Sequence, residues 1–327
     1  MNPQTAMEAA TEGAKVITKL QEIVQKMFGP HWTRRQADAD AYADERKLQT
    51  IRDNPDMEVV YVAGEINARK RTPEELAQRA EQRMYSDSIR QEMNIENVID
   101  LAAKELQHAS GVSDESVDDD WITRLFSIVK DVSSEDMQYV WGKILAGEIV
   151  APGSFSLRTI ETIRNMGKND AEIYQKILPL VVTIGNQKVI TSSQRVLQNH
   201  GVKYSDIMLL DECGLVNSSG ALSMNHTLSP AMNVMYYTDE RILLIKNNSS
   251  TELKLSVGVY TLTKAGIELF NILSHGYDNS YILEYAAEIR NQNKKVDIEI
   301  SVHQIININE DSINYVIEPI EKFEKED

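Results

Sequence analysis

The stretch from Asp118 to Met166, DDDWITRLFSIVKDVSSEDMQYVWGKILAGEIVAPGSFSLRTIETIRNM, constrains the fold more than any other part of the chain. Its apolar residues recur every three or four positions, the spacing that lines one face of a helix. Three helices are expected. Asp120 caps the first, whose buried face is Trp121, Leu125, Ile128, Val129 and Val132. Ser133 caps the second, with Asp136 three residues on. Hydroxyl and carboxylate side chains suit this position because they accept from the free N–H groups of the first turn. The second helix turns Met137, Val140, Trp141, Ile144 and Leu145 inward and ends at Gly147 and Pro152-Gly153. Ser154 or Ser156 starts the third, facing Leu157, Ile160 and Ile163, and Asn169-Asp170 opens a short helix to Leu178.

The flanks divide by pattern. Residues 7–28 read as an amphipathic helix with Val16, Ile17, Leu20, Ile23, Val24 and Met27 on one face, stopped by Gly29-Pro30. Residues 31–55 are polar and charged and read as an exposed helix. Thr72-Pro73-Glu74-Glu75 is a helix start with a capping box and proline in the first turn. That helix is expected to reach about Asn94, and a second to run on to Gln107 with Ile95, Val98, Ile99, Ala102 and Leu106 inward. The acidic linker SDESVDDD follows.

After Pro179 the period changes to that of strands. LVVTIGNQKVI reads as a hairpin turning at Gly185-Asn186. A short helix over 204–213 ends at Gly214. Strands follow around Met224, at RILLIKN and at LSVGVYTL, and Thr263 caps a helix to Ser274. The last fifty residues read as a small acidic tail, with YILEYAAEIRNQ helical and VDIEISV and SINYVIEPI strand-like. The fold class expected is α+β, mostly helical: a helical N-terminal and central domain followed by a winged-helix-like α+β C-terminal part. Four segments are expected: 1–70, 71–178, 179–275 and 276–327.

Composition narrows the function classes. The chain has 327 residues and a formal charge of -16. That charge disfavours a sequence-independent grip on phosphate backbones, which needs a basic face. Cys213 is the only cysteine, so neither a disulfide within the chain nor a multi-cysteine metal site is expected, and a buried inert thiol is. The six histidines never fall three or four residues apart, so no helical zinc pair is expected. No GxGxxG, GxxxxGK[ST] or GxSxG motif occurs. No apolar run is long enough to cross a membrane, and the start lacks the basic-then-apolar order of a signal peptide. A cytoplasmic, soluble protein is expected. On residues 7–28 a weaker alternative is contact with a membrane surface, opposed by the balance of Lys15, Lys19 and Lys26 against Glu8, Glu12 and Glu22.

Two resemblances sit on these residues. The first is carried by Arg90-Gln91, Asn94-Ile95-Glu96, Asp119-Asp120-Trp121, Arg124, Phe126, the DVSSEDMQ run, Trp141, KILAGEI and PGSFSLRT. Over roughly residues 85–185 the chain resembles an uncharacterised bacterial domain-of-unknown-function family common in prophages and genomic islands. The second is carried by Met137, Gln138, Trp141, Ile144, Leu145, Ala146, Pro152, Phe155, Ile163, Asp170 and Ala171. It is similar to the helical core of abortive-infection alpha proteins, which implies a phage-defence setting and no reaction. Leu209-Leu210, Gly214-Leu215-Val216, Tyr260-Thr261-Leu262-Thr263 and Gly266 resemble the order of winged-helix regulators, although Ile190 to Ser205 offers only Arg195, His200 and Lys203 as basic residues.

The expected roles follow. Val16, Leu20, Ile23, Val24 and Met27 are candidates for an interaction face. Asp120, Trp121, Arg124, Trp141, Phe155 and Arg158 are read as structural signature residues, with the Asp118–Asp120 run as helix caps rather than cation ligands. Arg195 and Lys203 are the candidate nucleic-acid contacts. No catalytic residue, metal or cofactor is expected. The function expected is a non-enzymatic interaction, sensor or scaffold component of a mobile-element-borne phage-defence system, with a homo-oligomer and a protein partner. The alternative is a nucleic-acid-binding regulator.

Overall fold

The computed structural model describes residues 3–28, 60–62, 65–67, 73–109, 111–218, 223–273, 276–309 and 312–323. The exposed helix expected over 31–55, the Gly29-Pro30 stop and the Thr72 cap lie outside them. The chain forms two compact units, Met1–Ser154 and Phe155–Asp327.

Unit 1 is built on helices. They are α1 (Pro3–Phe28), α2 (Pro73–Leu106), α3 (Asp119–Val129) and α4 (Glu135–Val150), with a small hairpin of β1 (Val60–Val62) and β2 (Glu65–Asn67). The inward stripes fall where the spacing places them. Ile95, Val98, Ile99, Ala102 and Leu106 of α2 are buried, as are Trp121, Leu125, Ile128 and Val129 of α3 and Met137, Trp141, Ile144, Leu145 and Ile149 of α4. Asp118, not Asp120, is the N-cap of α3, accepting from the Trp121 N–H at 2.9 Å. Asp119 instead takes Lys26 of α1 at 2.5 Å. Ser134, not Ser133, stands at the start of α4 and makes no side-chain cap bond.

Where two helices were expected around Asn94, one 34-residue helix runs through. Asparagine breaks helices by hydrogen-bonding its own neighbourhood. Here its amide is engaged elsewhere, donating to the Lys130 carbonyl at 2.8 Å and accepting from Gln138 Nε2 at 3.1 Å. Gln138 also donates to the Val132 carbonyl at 2.8 Å. The last carbonyls of a helix lack partners within it. Two buried amides from α2 and α4 supply partners at the turn between α3 and α4. The signature residues Asn94 and Gln138 are thus a structural clasp.

Gly142 lets α2 and α4 approach closely. A Cβ there would lie 2.6 Å from the Leu101 Cβ and 3.2 Å from the Ala102 nitrogen. We expect Gly142→Ala to destabilise unit 1 by about 1–3 kcal/mol, the usual range for overpacking a tight core. Urea unfolding followed by circular dichroism measures it, and a change below about 0.5 kcal/mol, typical of a neutral surface site, contradicts the close packing.

Unit 2 begins with α5 (Leu157–Arg164) and α6 (Lys168–Ile177), then a short 3₁₀ turn at Leu178–Leu180. Ser156 caps α5 through the Thr159 N–H at 3.3 Å. Leu157 was expected to face inward and is 48% exposed. Steps of three residues slip about 60° around a helix, so Leu157, Ile160 and Ile163 do not share one narrow stripe and an eight-residue helix buries only part of it.

An antiparallel sheet forms the frame of unit 2. Its strands are β3 (Val182–Ile184), β4 (Gln187–Thr191), β5 (Val216–Asn217), β6 (Ser223–Leu228), β7 (Asn233–Tyr237), β8 (Arg241–Asn247), β9 (Leu253–Leu262), β10 (Ile298–Asn309), β11 (Ser312–Tyr315) and β12 (Glu321–Phe323). The order is β11-β10-β8-β7-β3-β4-β9-β5, with β6 on β9 and β12 on β10. The expected hairpin turns at Gly185, whose φ of 53° is the left-handed region that glycine tolerates. The C-terminal strands join this sheet through β10 and β8, so the last fifty residues are no separate tail. Four further helices are α7 (Gln194–Asn199), α8 (Tyr204–Glu212), α9 (Lys264–Ile272) and α10 (Asn279–Gln292).

Candidate functional site

The segment from β4 to β9 carries the features that set what unit 2 presents to its surroundings. β4 leads into α7, a turn at Gly201, then α8 and β5, while the end of β9 lies between β4 and β5. Val196, Leu197, Val202, Ile207 and Leu210 bury the inner faces of the two helices. Gly214 leaves α8 with a φ of 74°. Its carbonyl accepts from Thr263 Oγ1 at 2.6 Å, while the Leu215 carbonyl accepts from the Thr263 N–H at 3.0 Å. Gly266 of α9 lies so close to Leu215 that a Cβ would stand 2.2 Å from the Leu215 oxygen. The Gly214-Leu215 and Thr263-Gly266 stretches that drew notice in the sequence therefore meet, and their packing explains the small residue at 266.

The outer face of α7 is tied to α10 by a polar seam. Residues four apart on a helix share a face, so Arg195 and Asn199 pair with Glu288 and Glu284 in antiparallel order. Arg195 donates to Glu288 at 2.8 Å, and Asn199 donates to Glu284 at 2.9 Å. His200 closes the seam, with Nδ1 2.6 Å from Asp278 and Nε2 3.7 Å from Glu284. The latter distance is electrostatic reach without a hydrogen bond, and His200 Nε2 is a buried nitrogen lacking a partner. Tyr281 stands edge-on to the imidazole at 5.4 Å.

The electrostatics follow from these partners. The hydrogen bond and charge of Glu288 push the Arg195 guanidinium further above its ordinary value. Burial raises the Asp278 carboxyl, but hydrogen bonds from Ser280, His200 and the Tyr281 N–H together outweigh it, so Asp278 sits below the usual carboxylate value. Asp278 also caps α10 by accepting from the Ser280 and Tyr281 N–H groups.

The exposed face of α8 is apolar and acidic. Tyr204 is 54% exposed and Met208 39%. Glu212 is exposed, and Asp206 and Asp211 are partly so. Asp206 accepts from the Lys203 N–H at 3.1 Å, and Ser218 Oγ donates to Asp211. Lys203 is the single basic residue at this helix.

The remaining sequence candidates sit apart from this seam. Trp121, Trp141 and Phe155 are core residues. Arg124 lies exposed in the second turn of α3 and Arg158 in the first turn of α5. Val16, Leu20, Ile23 and Val24 turn inward within unit 1, where Met27 is half-buried. Lys19 of the same helix donates to the Ser113 carbonyl at 2.7 Å. Burial raises the Cys213 thiol to about 11, aided by the charges of Asp170 and Glu212, so it is protonated at neutral pH. Among the described residues no three His, Cys, Asp or Glu side chains are grouped to hold a metal ion, and no helix is long and apolar enough to cross a membrane.

Sequence reasoning missed His200, Asp278, Glu284 and Glu288 as a group, and a second cluster behind them. Tyr236 meets His226 Nε2 at 2.8 Å and stands edge-on to Tyr285, which stacks on Tyr281. Burial pushes the Tyr236, Tyr281 and Tyr285 hydroxyls upward. The spacing of Tyr281 and Tyr285 on α10 was the one available signal.

We expect Asp278→Asn to cost about 1 kcal/mol at neutral pH, since asparagine still caps but loses the charged bond to His200. A depressed native value means the carboxylate stabilises the fold above its unfolded value of 3.8 and loses that contribution as pH falls through the lowered native one. The difference between wild type and variant, read from denaturant midpoints, is therefore steady down to about pH 5 and shrinks in stronger acid. A gap unchanged to about pH 2 contradicts the assignment.

A family profile described as "protein of unknown function (DUF2806)" matches residues 78–285, and the chain belongs to that family. No curated protein and no solved structure matches the chain.

Proposed function

From this family membership and the surface of unit 2, we propose that the chain is a non-enzymatic interaction scaffold. The observation that carries this reading is the outer face of α8. It pairs exposed Tyr204 and Met208 with Asp211 and Glu212. Aromatic and methionine side chains are enriched where proteins bind one another. A face of this sign repels phosphate. The apolar residues of α1 expected to drive self-association are spent inside unit 1 while that helix is docked, so the interaction reading rests on unit 2. The resemblance of the central helices to abortive-infection alpha proteins supplies the setting: a phage-defence locus of a mobile element, in which the scaffold holds a protein partner in the cytoplasm.

A second reading has one observation in its favour. The path β4, α7, α8, β5 and β9, with β9 between β4 and β5, is similar to that of a winged helix, in which α8 would correspond to the reading helix. A nucleic-acid regulator would use it. The expected contact Arg195 is instead paired with Glu288, and Lys203 donates its backbone N–H to Asp206.

The test is photo-crosslinking in the native host with p-benzoylphenylalanine in place of Tyr204 or Met208, and at exposed Lys254 as a control. The scaffold reading expects discrete polypeptide adducts at the two α8 positions and none at the control. Adducts to nucleic acid, or a pattern equal to the control, would sink it.

A further inference from the structure

The outer edge of β10 is shared by two short strands of different make. β11 pairs with residues 305–309 and β12 with residues 300–302. The β12 half carries Pro319, Glu321 and Lys322, and Lys322 pairs with Glu299 at 3.4 Å. Proline and charge are the usual guards of a sheet edge. The β11 half, Ser312-Ile313-Asn314-Tyr315, has neither. It ends the strand order, with β10 as its one strand partner among the described residues.

The register sets the chemistry of this edge. Ile305 stands opposite Tyr315, and Ile308 opposite Ile313, across a bulge between Ile305 and Asn307. These four side chains therefore share one face. Ile308 and Ile313 line a groove of about 490 Å³ with Met235, Tyr237, Met224 and His226. Beside the strand, Val316 is 41% exposed and Ile317 88%. From Gln304 to Glu321 the chain holds four acidic residues, Glu310, Asp311, Glu318 and Glu321, and no basic one.

We propose that β11 is a docking edge for an extended segment of a different polypeptide, one that alternates apolar residues and is flanked by lysine or arginine. This deepens the scaffold reading, on which it rests, by naming a second surface and the chemistry of its partner. The N–H and C=O groups of Ile313 and Tyr315 that point away from β10, without a strand partner among the described residues, supply the backbone bonds, as in other strand additions. Every second side chain of the added strand lies beside Ile313 and Tyr315 and faces the groove. Its flanking cations meet exposed Glu318 and Glu321. A second copy of this chain fits worse, because it brings the same carboxylates against themselves.

The experiment uses the full chain and two fluorescein-labelled peptides, acetyl-Lys-Lys-Thr-Val-Thr-Ile-Thr-Lys-Lys-amide and its counterpart with glutamate for every lysine, read by fluorescence anisotropy. Two variants accompany them. Ile313→Pro removes a β11 N–H that points away from β10, and Glu318→Lys changes only an exposed charge. The proposal expects the lysine peptide to bind at least tenfold tighter than the glutamate peptide, more weakly as salt rises. Ile313→Pro should weaken it at least tenfold, and Glu318→Lys several-fold, while Met208→Asp on α8 leaves it unchanged. Equal binding of the two peptides, binding of neither, or binding that survives both variants overturns the proposal. So does a concentration-dependent dimer abolished by Ile313→Pro, which would assign the edge to a second copy. Failure here leaves the α8 crosslinks standing, so the two readings fail separately.

Discussion

The ion pairs between α7 and α10 decide what unit 2 can present. The chain has a net charge of -16, and Lys203 is the one basic residue at α8. Arg195 is drawn to Glu288, and His200 lies between Asp278 and Glu284. An exposed ion pair contributes little to stability. Its consequence here is allocation. With Arg195 paired, the helix pair next to β4 shows Tyr204, Met208 and carboxylates outward. The tyrosines behind the seam anchor it, since Tyr281 accepts the Thr191 N–H at the end of β4 and packs against His200.

Unit 1 depends on a different constraint, the close passage of α2 and α4. Gly142 permits it, and the Asn94–Gln138 clasp fixes the turn between α3 and α4 against the same two helices. Buried amides are costly unless bonded. Here each has a carbonyl to serve, which accounts for polar signature residues within an apolar seam. The lysines of α1 act in a similar way on the acidic loop, Lys26 on Asp119 and Lys19 on the Ser113 carbonyl.

Local pattern made much of this legible. Helical spacing placed Trp121, Trp141, Ile144 and Ile160 inward, and Gly185-Asn186 placed the first hairpin turn. The signature residues identified the family, whose match extends to residue 285, beyond the span they occupy. Elements that depend on distant partners were not legible. Asn94 reads as a break until its bond to the Lys130 carbonyl is known. The C-terminal strands read as a tail because the pairing of β10 with β8 spans some fifty residues. The seam was hidden for the same reason, since Arg195 and Glu288 are 93 positions apart and neither sits in a motif. An exposed face is harder still, because Tyr204 and Met208 have the same letters whether buried or presented.

The central claim is that unit 2 presents a protein-binding face and not a phosphate-binding one. Anisotropy of labelled duplex DNA and single-stranded RNA, titrated with the full chain at low salt, tests it most directly. The account predicts no saturable binding up to about 0.1 mM protein, the weak end of ordinary non-specific affinity. Micromolar binding that falls steeply with added salt, and that Lys203→Ala weakens, would contradict it.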